Sequence, residues 1–163
     1  MNTLQPEQVI ADLTLRYLRE LATFGAISDA AIIDLISRGT VKSLHKGEVL
    51  SSYDMPVTGF AIVLQGNIAF YKHCKGKDVL TRHFRAGEQI GFDTMIGMIA
   101  NSGTEIGYED SLVLQVSSVQ FFDLHQDFPA DFGLLMINLS RELAREIAML
   151  EEVIGKSVGW SAE

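Results

Sequence analysis

A single cysteine, Cys74, stands among the 163 residues. No disulfide can close within the chain, and the composition suits a reducing, cytoplasmic compartment. Apolar runs are short. None approaches the ~20 residues that span a bilayer. The opening stretch MNTLQPEQVIADLTLRYL has no basic start followed by an apolar core, so no signal peptide is expected. Positive charge is missing from a long segment: between Ala86 and Ser140 there are eight Asp/Glu and no Lys or Arg, and the whole chain carries −8. Such a field repels phosphate backbones and anionic lipid heads, so neither nucleic acid nor a membrane surface is expected as a direct partner.

The residues present are those of an ordinary globular protein, 47% apolar and 21% charged. One domain of this length buries about two-thirds of its unfolded surface. Val9, Leu13, Tyr17 and Leu21 fall at helical spacing within residues 7–23. DAAIIDLISR reads as a second helix, with Ser28 at its N-cap and Gly39 where a terminal glycine belongs. From Val41 to Ser118 the pattern becomes short apolar stretches (VKSL, EVLSSY, FAIVL, IAFYKH, VLTRHF, LVLQVS) broken by turn signals such as HKGE, QGN, CKGKD and RAGE. That punctuation predicts a small antiparallel sandwich or barrel. Helix returns at Pro129, where Met136, Leu139, Leu143, Ile147, Leu150 and Ile154 follow at spacings of three and four up to Gly155. This near-heptad stripe either packs on the barrel or forms the seam of a two-helix homodimer.

Within the segment that lacks cations lies IGFDTMIGMIANSGTE, residues 90–105. Its glycines and small polar residues resemble an anion-cradling loop, yet such loops usually keep a positive side chain nearby. Gly47, Gly66 and Gly87 fall at strand ends and read as architectural, while Gly91, which opens this loop, is either architectural or part of the ligand-binding site.

The order of helices, short-strand barrel and long helix resembles the cyclic-nucleotide-binding domain of the catabolite activator protein family. The matching pieces are KGEVL (46–50), FAIVLQGNIAFY (60–71), AGEQIG (86–91) and LSRELAREIAMLEEVIG (139–155). The resemblance implies an α+β fold in one domain. N-terminal helices over 1–39 lead to an antiparallel jelly-roll barrel over 40–128. A long dimerisation helix over 129–155 and a tail over 156–163 follow. The family's regulators append a helix-turn-helix domain after the long helix, and the eight residues from Lys156 are too few to form one. Trp160 in the tail either anchors a partner or packs back on the helix.

The resemblance also implies a phosphate-binding cassette after Gly91, in which a glutamate holds the ribose and an arginine the cyclic phosphate. Here the glutamate position is Phe92, with Asp93 next to it. The arginine position falls at Ser102 or Gly103, followed by Thr104. The family's purine-contacting hydroxyl residues on the long helix align with Leu150 and Glu151. A buried phosphate without its arginine is costly, so tight cAMP binding is not expected. Arg82, Arg85 and Arg141 read as solvated surface residues. The loop either binds a neutral or weakly anionic small molecule or is filled by Phe92, Met95, Ile96 and Met98.

No His-x-His pair exists, adjacent His73 and Cys74 point to opposite faces of a strand, and no catalytic constellation is present, so neither metal nor enzyme chemistry is expected. The reading is a dimeric small-molecule sensor that signals through its long helix to a partner protein. The alternative is a ligand-free scaffold with a degenerate pocket.

Overall fold

The computed structural model describes residues 1–53 and 55–158, so Trp160 lies outside the described residues. A short strand β1 (Asn2–Leu4) precedes helix α1 (Pro6–Glu20), a 3-10 turn (Ala22–Phe24) and helix α2 (Asp29–Arg38). Then come strands β2 (Thr40–Leu44), β3 (Val49–Ser51), β4 (Gly59–Gln65), β5 (Asn67–Cys74), β6 (Lys77–Arg85) and β7 (Gln89–Ile90). Helix α3 (Phe92–Gly97), strands β8 (Gly103–Gly107) and β9 (Ser111–Ser117), and helices α4 (Ser118–Asp127) and α5 (Pro129–Val158) complete the order.

The strands form two antiparallel sheets, one ordered β1-β2-β9-β4-β7 and the other β3-β8-β5-β6. This is the jelly-roll arrangement expected. Period-two alternation divides the core in two. Phe60, Ile62 and Leu64 of β4, with Leu114 and Val116 of β9, meet Leu18, Phe24, Ile32 and Leu35 of the N-terminal segment. On the opposite face Ala61, Val63 and Val113 point into the roll against Leu44, Leu50, Ile68 and Phe84. β4 is buried on both faces, which is why FAIVL reads as an unbroken apolar run. Each such side chain contributes roughly 1.5–3 kcal/mol on burial.

Local signals account for the helix boundaries. Ser28 caps α2 by accepting from the Ala31 N–H, and Pro129 opens α5. Gly39 is needed for a different reason than expected: its φ is −78°, but a Cβ would lie 2.6 Å from the Leu114 side chain and from the Leu35 carbonyl. α1 is interrupted at Thr14, whose φ of 58° breaks the helical periodicity.

Two expectations require correction. Helix returns at Ser118 rather than Pro129, because Ser117 accepts from the Gln120 N–H at 3.1 Å and starts α4 with no intervening turn. This Ser-x-x-Gln spacing is a capping pattern. α5 also runs through Gly155 to Val158.

Candidate functional site

The glycine-rich loop forms one wall of a cavity of about 500 Å³ between the sheets. Gly91 caps α3 in the left-handed conformation, φ 77°, and the six-residue helix follows directly. Leu50 and Ser51 of β3, Ala61 of β4, Ile90, Gly91 and Thr94 line the hollow, with Asn101 and Glu105 on the return path.

Glu105 is the site residue that sequence reasoning overlooked. It is only 5% exposed, its carboxylate accepts from the Ser51 hydroxyl, and Asn101 Nδ2 donates to Ser51 Oγ at 3.3 Å and to the Ser52 carbonyl at 3.0 Å. Burial pushes its pKa up to about 6. Ser51 and a backbone N–H oppose that shift, while the nearby negative charge of Asp93 adds to it. The signal was available: alternation along GTEIG puts Glu105 on the face of Gly103 and Gly107. An acid inside the roll sets a negative group beside any occupant.

The cassette positions have new occupations. Phe92 is a core residue, 1% exposed, packed edge-on against Phe60 and Phe121 with centroids 5.4 and 5.8 Å apart, so the structure removes it from the ligand-binding set. Asp93 is exposed and accepts from Thr94 Oγ1 at 3.2 Å. Gly103 is buried in β8, where a Cβ would lie 2.5 Å from two Phe70 ring atoms. The ring of Phe70 thus takes the space a side chain would need. Thr104 pairs with Tyr71 in the sheet. The loop is not uniformly a plug: Met95 packs on the core, whereas Ile96 and Met98 face solvent.

A second hollow, about 980 Å³, runs between β6 and α5. Arg82 is no surface arginine. It is 17% exposed, donates to Glu142 at 3.3 Å and pairs with Glu146, and lies 4.2 Å over the Phe84 ring. Burial raises the Glu142 pKa to about 7, opposed by the Gln89 N–H and Arg82 and reinforced by Glu146 and Glu88. Gln89, itself 1% exposed, lies between α3 and α5. Its N–H donates to Glu142 at 3.0 Å and its Nε2 to Glu146 at 3.4 Å, while its Oε1 accepts from the Phe92 N–H at 2.8 Å. The long helix is therefore hydrogen-bonded to the start of α3 through one side chain.

The far wall predicted at Leu150 and Glu151 is not formed there. Both are exposed, and neither lines a described cavity. The helical phase presents Glu142, Glu146 and Met149, at i, i+4 and i+7, to β6 instead. The stripe on α5 also divides. Leu139 is fully buried in the chain's own core, and Met136 and Leu143 pack against it. Ile147, Leu150 and Ile154 are 56–59% exposed.

The histidines have local partners. His73 Nδ1 meets Asp78 at 2.8 Å, His83 Nδ1 meets Asn67 at 2.9 Å, and His45 meets Asp110. Among the described residues no group of three His, Cys, Asp or Glu side chains could hold a metal ion, and no helix is long and apolar enough to cross a membrane.

The two-sheet roll, a short helix entered through a left-handed glycine, and a long helix latched across one flank define a β-roll domain of the cyclic nucleotide-binding fold. The cyclic nucleotide-binding domain profile matches residues 41–128, just over half of the chain; the chain belongs to that family, whose domains occur in regulatory proteins. No curated protein sequence matches it. Among solved structures, it is similar to the Thermus thermophilus catabolite activator protein, with 16% identity, TM-score 0.68, and coverage of 84% of this chain and 63% of that one. The sensor domain of the transcriptional regulator DNR from Pseudomonas aeruginosa matches with 17% identity, TM-score 0.65, and coverage of 86% and 95%. The regulatory subunit of a cAMP-independent protein kinase A from Trypanosoma brucei matches with 14% identity, TM-score 0.63, and coverage of 84% and 45%. The chain thus spans less than two-thirds of the catabolite activator protein it resembles. At these identities the likeness is one of fold.

Proposed function

We propose that this chain is the sensor module of a regulatory protein, binding a small molecule other than cAMP between its sheets and signalling through α5. The observation that carries the reading is the Gln89 bridge. One buried residue holds the first N–H of α3 and Glu146 through its side-chain amide and Glu142 through its backbone N–H, so an occupant that shifts α3 also changes the seat of the long helix. Such a module switches only if the occupant binds two positions of α5 with different affinity.

Dimerisation belongs to the same proposal. Ile147, Leu150 and Ile154 are exposed at spacings of three and four, with Val153 beside them, a stripe suited to a second copy of this chain. A fold relative described as cAMP-independent is consistent with a roll whose ligand is not cAMP. The scaffold reading draws on Phe70 against Gly103, which fills part of the roll. The remaining 500 Å³ cavity favours the sensor.

Thermal denaturation with cyclic nucleotides, nucleotides, amino acids and organic acids, alongside native mass spectrometry of the purified protein, tests the proposal. A bound molecule raises the melting temperature by mass action. An empty roll in native spectra and no shift across the panel would leave only the scaffold.

A further inference from the structure

The charges facing the roll's cavity specify its occupant more closely, on the reading that the cavity is a ligand site. Four cationic or anionic groups other than Glu105 bear on it. The Met1 ammonium is paired with Glu48. Arg38, at the end of α2, is committed to Asp34, Asp123 and Asp127. Asp93 is the charged neighbour that Glu105 senses, and it is an acid. Lys42 of β2 lines the same cavity and has no ion pair among the described residues. By alternation Lys42 shares a face with Leu44, which is buried inside the roll.

Glu105 and Lys42 therefore address one cavity from different sheets, Glu105 from β8 and Lys42 from β2. They do not form an ion pair with each other, and no cation contributes to the charge balance of Glu105. The carboxylate holds one hydroxyl, Ser51, and one backbone N–H, although an anion this buried ordinarily gathers more donors or a counter-charge. A bound phosphodiester would bring a second negative charge beside that carboxylate. An ammonium would supply the donors it lacks.

We infer that the cavity binds a small zwitterion of the amino-acid type, its ammonium against Glu105 and its carboxylate toward Lys42. Recognition then rests on two opposed charges in a cavity that Leu50, Ala61 and Ile90 also line. Specificity follows from desolvation, since a molecule lacking the ammonium leaves the buried Glu105 unmatched and one lacking the carboxylate leaves the half-buried Lys42 unpaired.

The test uses the full chain and defined probes in thermal shift and calorimetric titration. The probes are the free α-amino acids and 4-aminobutyrate, the amine-only n-butylamine, the acid-only butyrate, and cAMP. At least one zwitterion is expected to raise the melting temperature and to bind at least tenfold more tightly than n-butylamine, butyrate or cAMP. Glu105→Gln and Lys42→Gln should each weaken that zwitterion by tenfold or more. Both are close in shape to the parent residues, and their unliganded melting curves report whether they fold. Should a variant fail to fold, the wild-type ranking of zwitterion over amine, acid and cAMP still decides the matter. Unchanged zwitterion binding in both variants overturns the inference, as does a preference for butyrate, which would leave the sensor reading standing; a preference for cAMP overturns the inference and the exclusion of cAMP together. A chain that binds no probe overturns it as well, and an empty roll in native mass spectra would then remove the sensor reading too.

Discussion

Lys72 donates its ammonium to the hydroxyl of Ser102 at 2.6 Å, so the cation that the glycine-rich loop lacks reaches it from β5. His73 N–H adds a bond to the Ser102 carbonyl at 3.0 Å. Neither Lys72 nor Ser102 lines a described cavity. The lysine ties down the loop's return rather than facing an occupant.

For this reason Lys72→Met should loosen the loop without unfolding the roll. A part-buried hydrogen bond from a charged donor contributes on the order of 1–2 kcal/mol. Hydrogen exchange should rise across residues 98–103 and remain unchanged in β4 and β9. Global exposure of β4 in the variant would contradict the assignment.

Gly103 should not tolerate a methyl group. In Gly103→Ala the new Cβ meets Phe70 ring atoms and the Tyr71 carbonyl, each at 2.5 Å, and overpacking of this kind costs about 1–3 kcal/mol. Phe70→Leu in the same chain should recover only the ring's share, because the carbonyl stands equally close. Denaturant melts of the single and double variants measure both quantities; an Ala variant as stable as wild type would exclude the packing argument.

The buried carboxylate of α5 makes stability depend on pH in a defined direction. Glu142 has its folded pKa raised to about 7, above the ordinary glutamate value, so the folded state holds its proton more tightly than the unfolded one. Its contribution is fully present below about pH 4.5 and is lost as pH rises through about 7. Glu142→Gln keeps an acceptor for the Gln89 N–H without the charge. Its stability relative to wild type should therefore climb between about pH 4.5 and 7, by roughly 2–3 kcal/mol. Urea melts of both proteins at several pH values provide the check, and a constant difference would refute the coupling.

Removing the cation has the opposite sense. Arg82→Ala leaves Glu142 and Glu146 buried without their partner, and stranding such a group costs about 3–5 kcal/mol. The loss should shrink as pH falls and Glu142 takes up its proton. A variant equally destabilised at pH 5 and pH 8 would mean that packing against Phe84, not charge, is what Arg82 supplies.

Leu150 tests the dimer with little risk to the fold, since it is 56% exposed. Sedimentation of the wild type should give a dimer mass, and Leu150→Glu a monomer with an unchanged melting curve at low concentration. An identical mass for both proteins would sink the seam. Leu143, packed against the core, would confound folding with association.

Much of the architecture could be read along the chain. The strand punctuation, Ser28, Pro129 and Gly91 each act within a few residues of their own position, so local sequence identified the roll, α2, the start of α5 and the turn into α3. Short elements escaped. β7 is two residues long and β1 three, too short for a periodic signal, and α4 follows β9 with no turn residue between them.

Composition and order thus determined an acidic, single-cysteine chain with a small antiparallel sandwich or barrel followed by a long helix, and the family resemblance implied the jelly roll and a cassette without its glutamate and arginine. Only the tertiary structure decided which side chains face inward together. Ser51 and Glu105 are 54 residues apart and Gln89 and Glu142 are 53 apart. Alternation can place each on a face, but strand pairing and helix phase set what that face meets. Burial then gives Glu105 and Glu142 properties that neither has as a residue in a sequence, because the cost of a charge depends on what surrounds it.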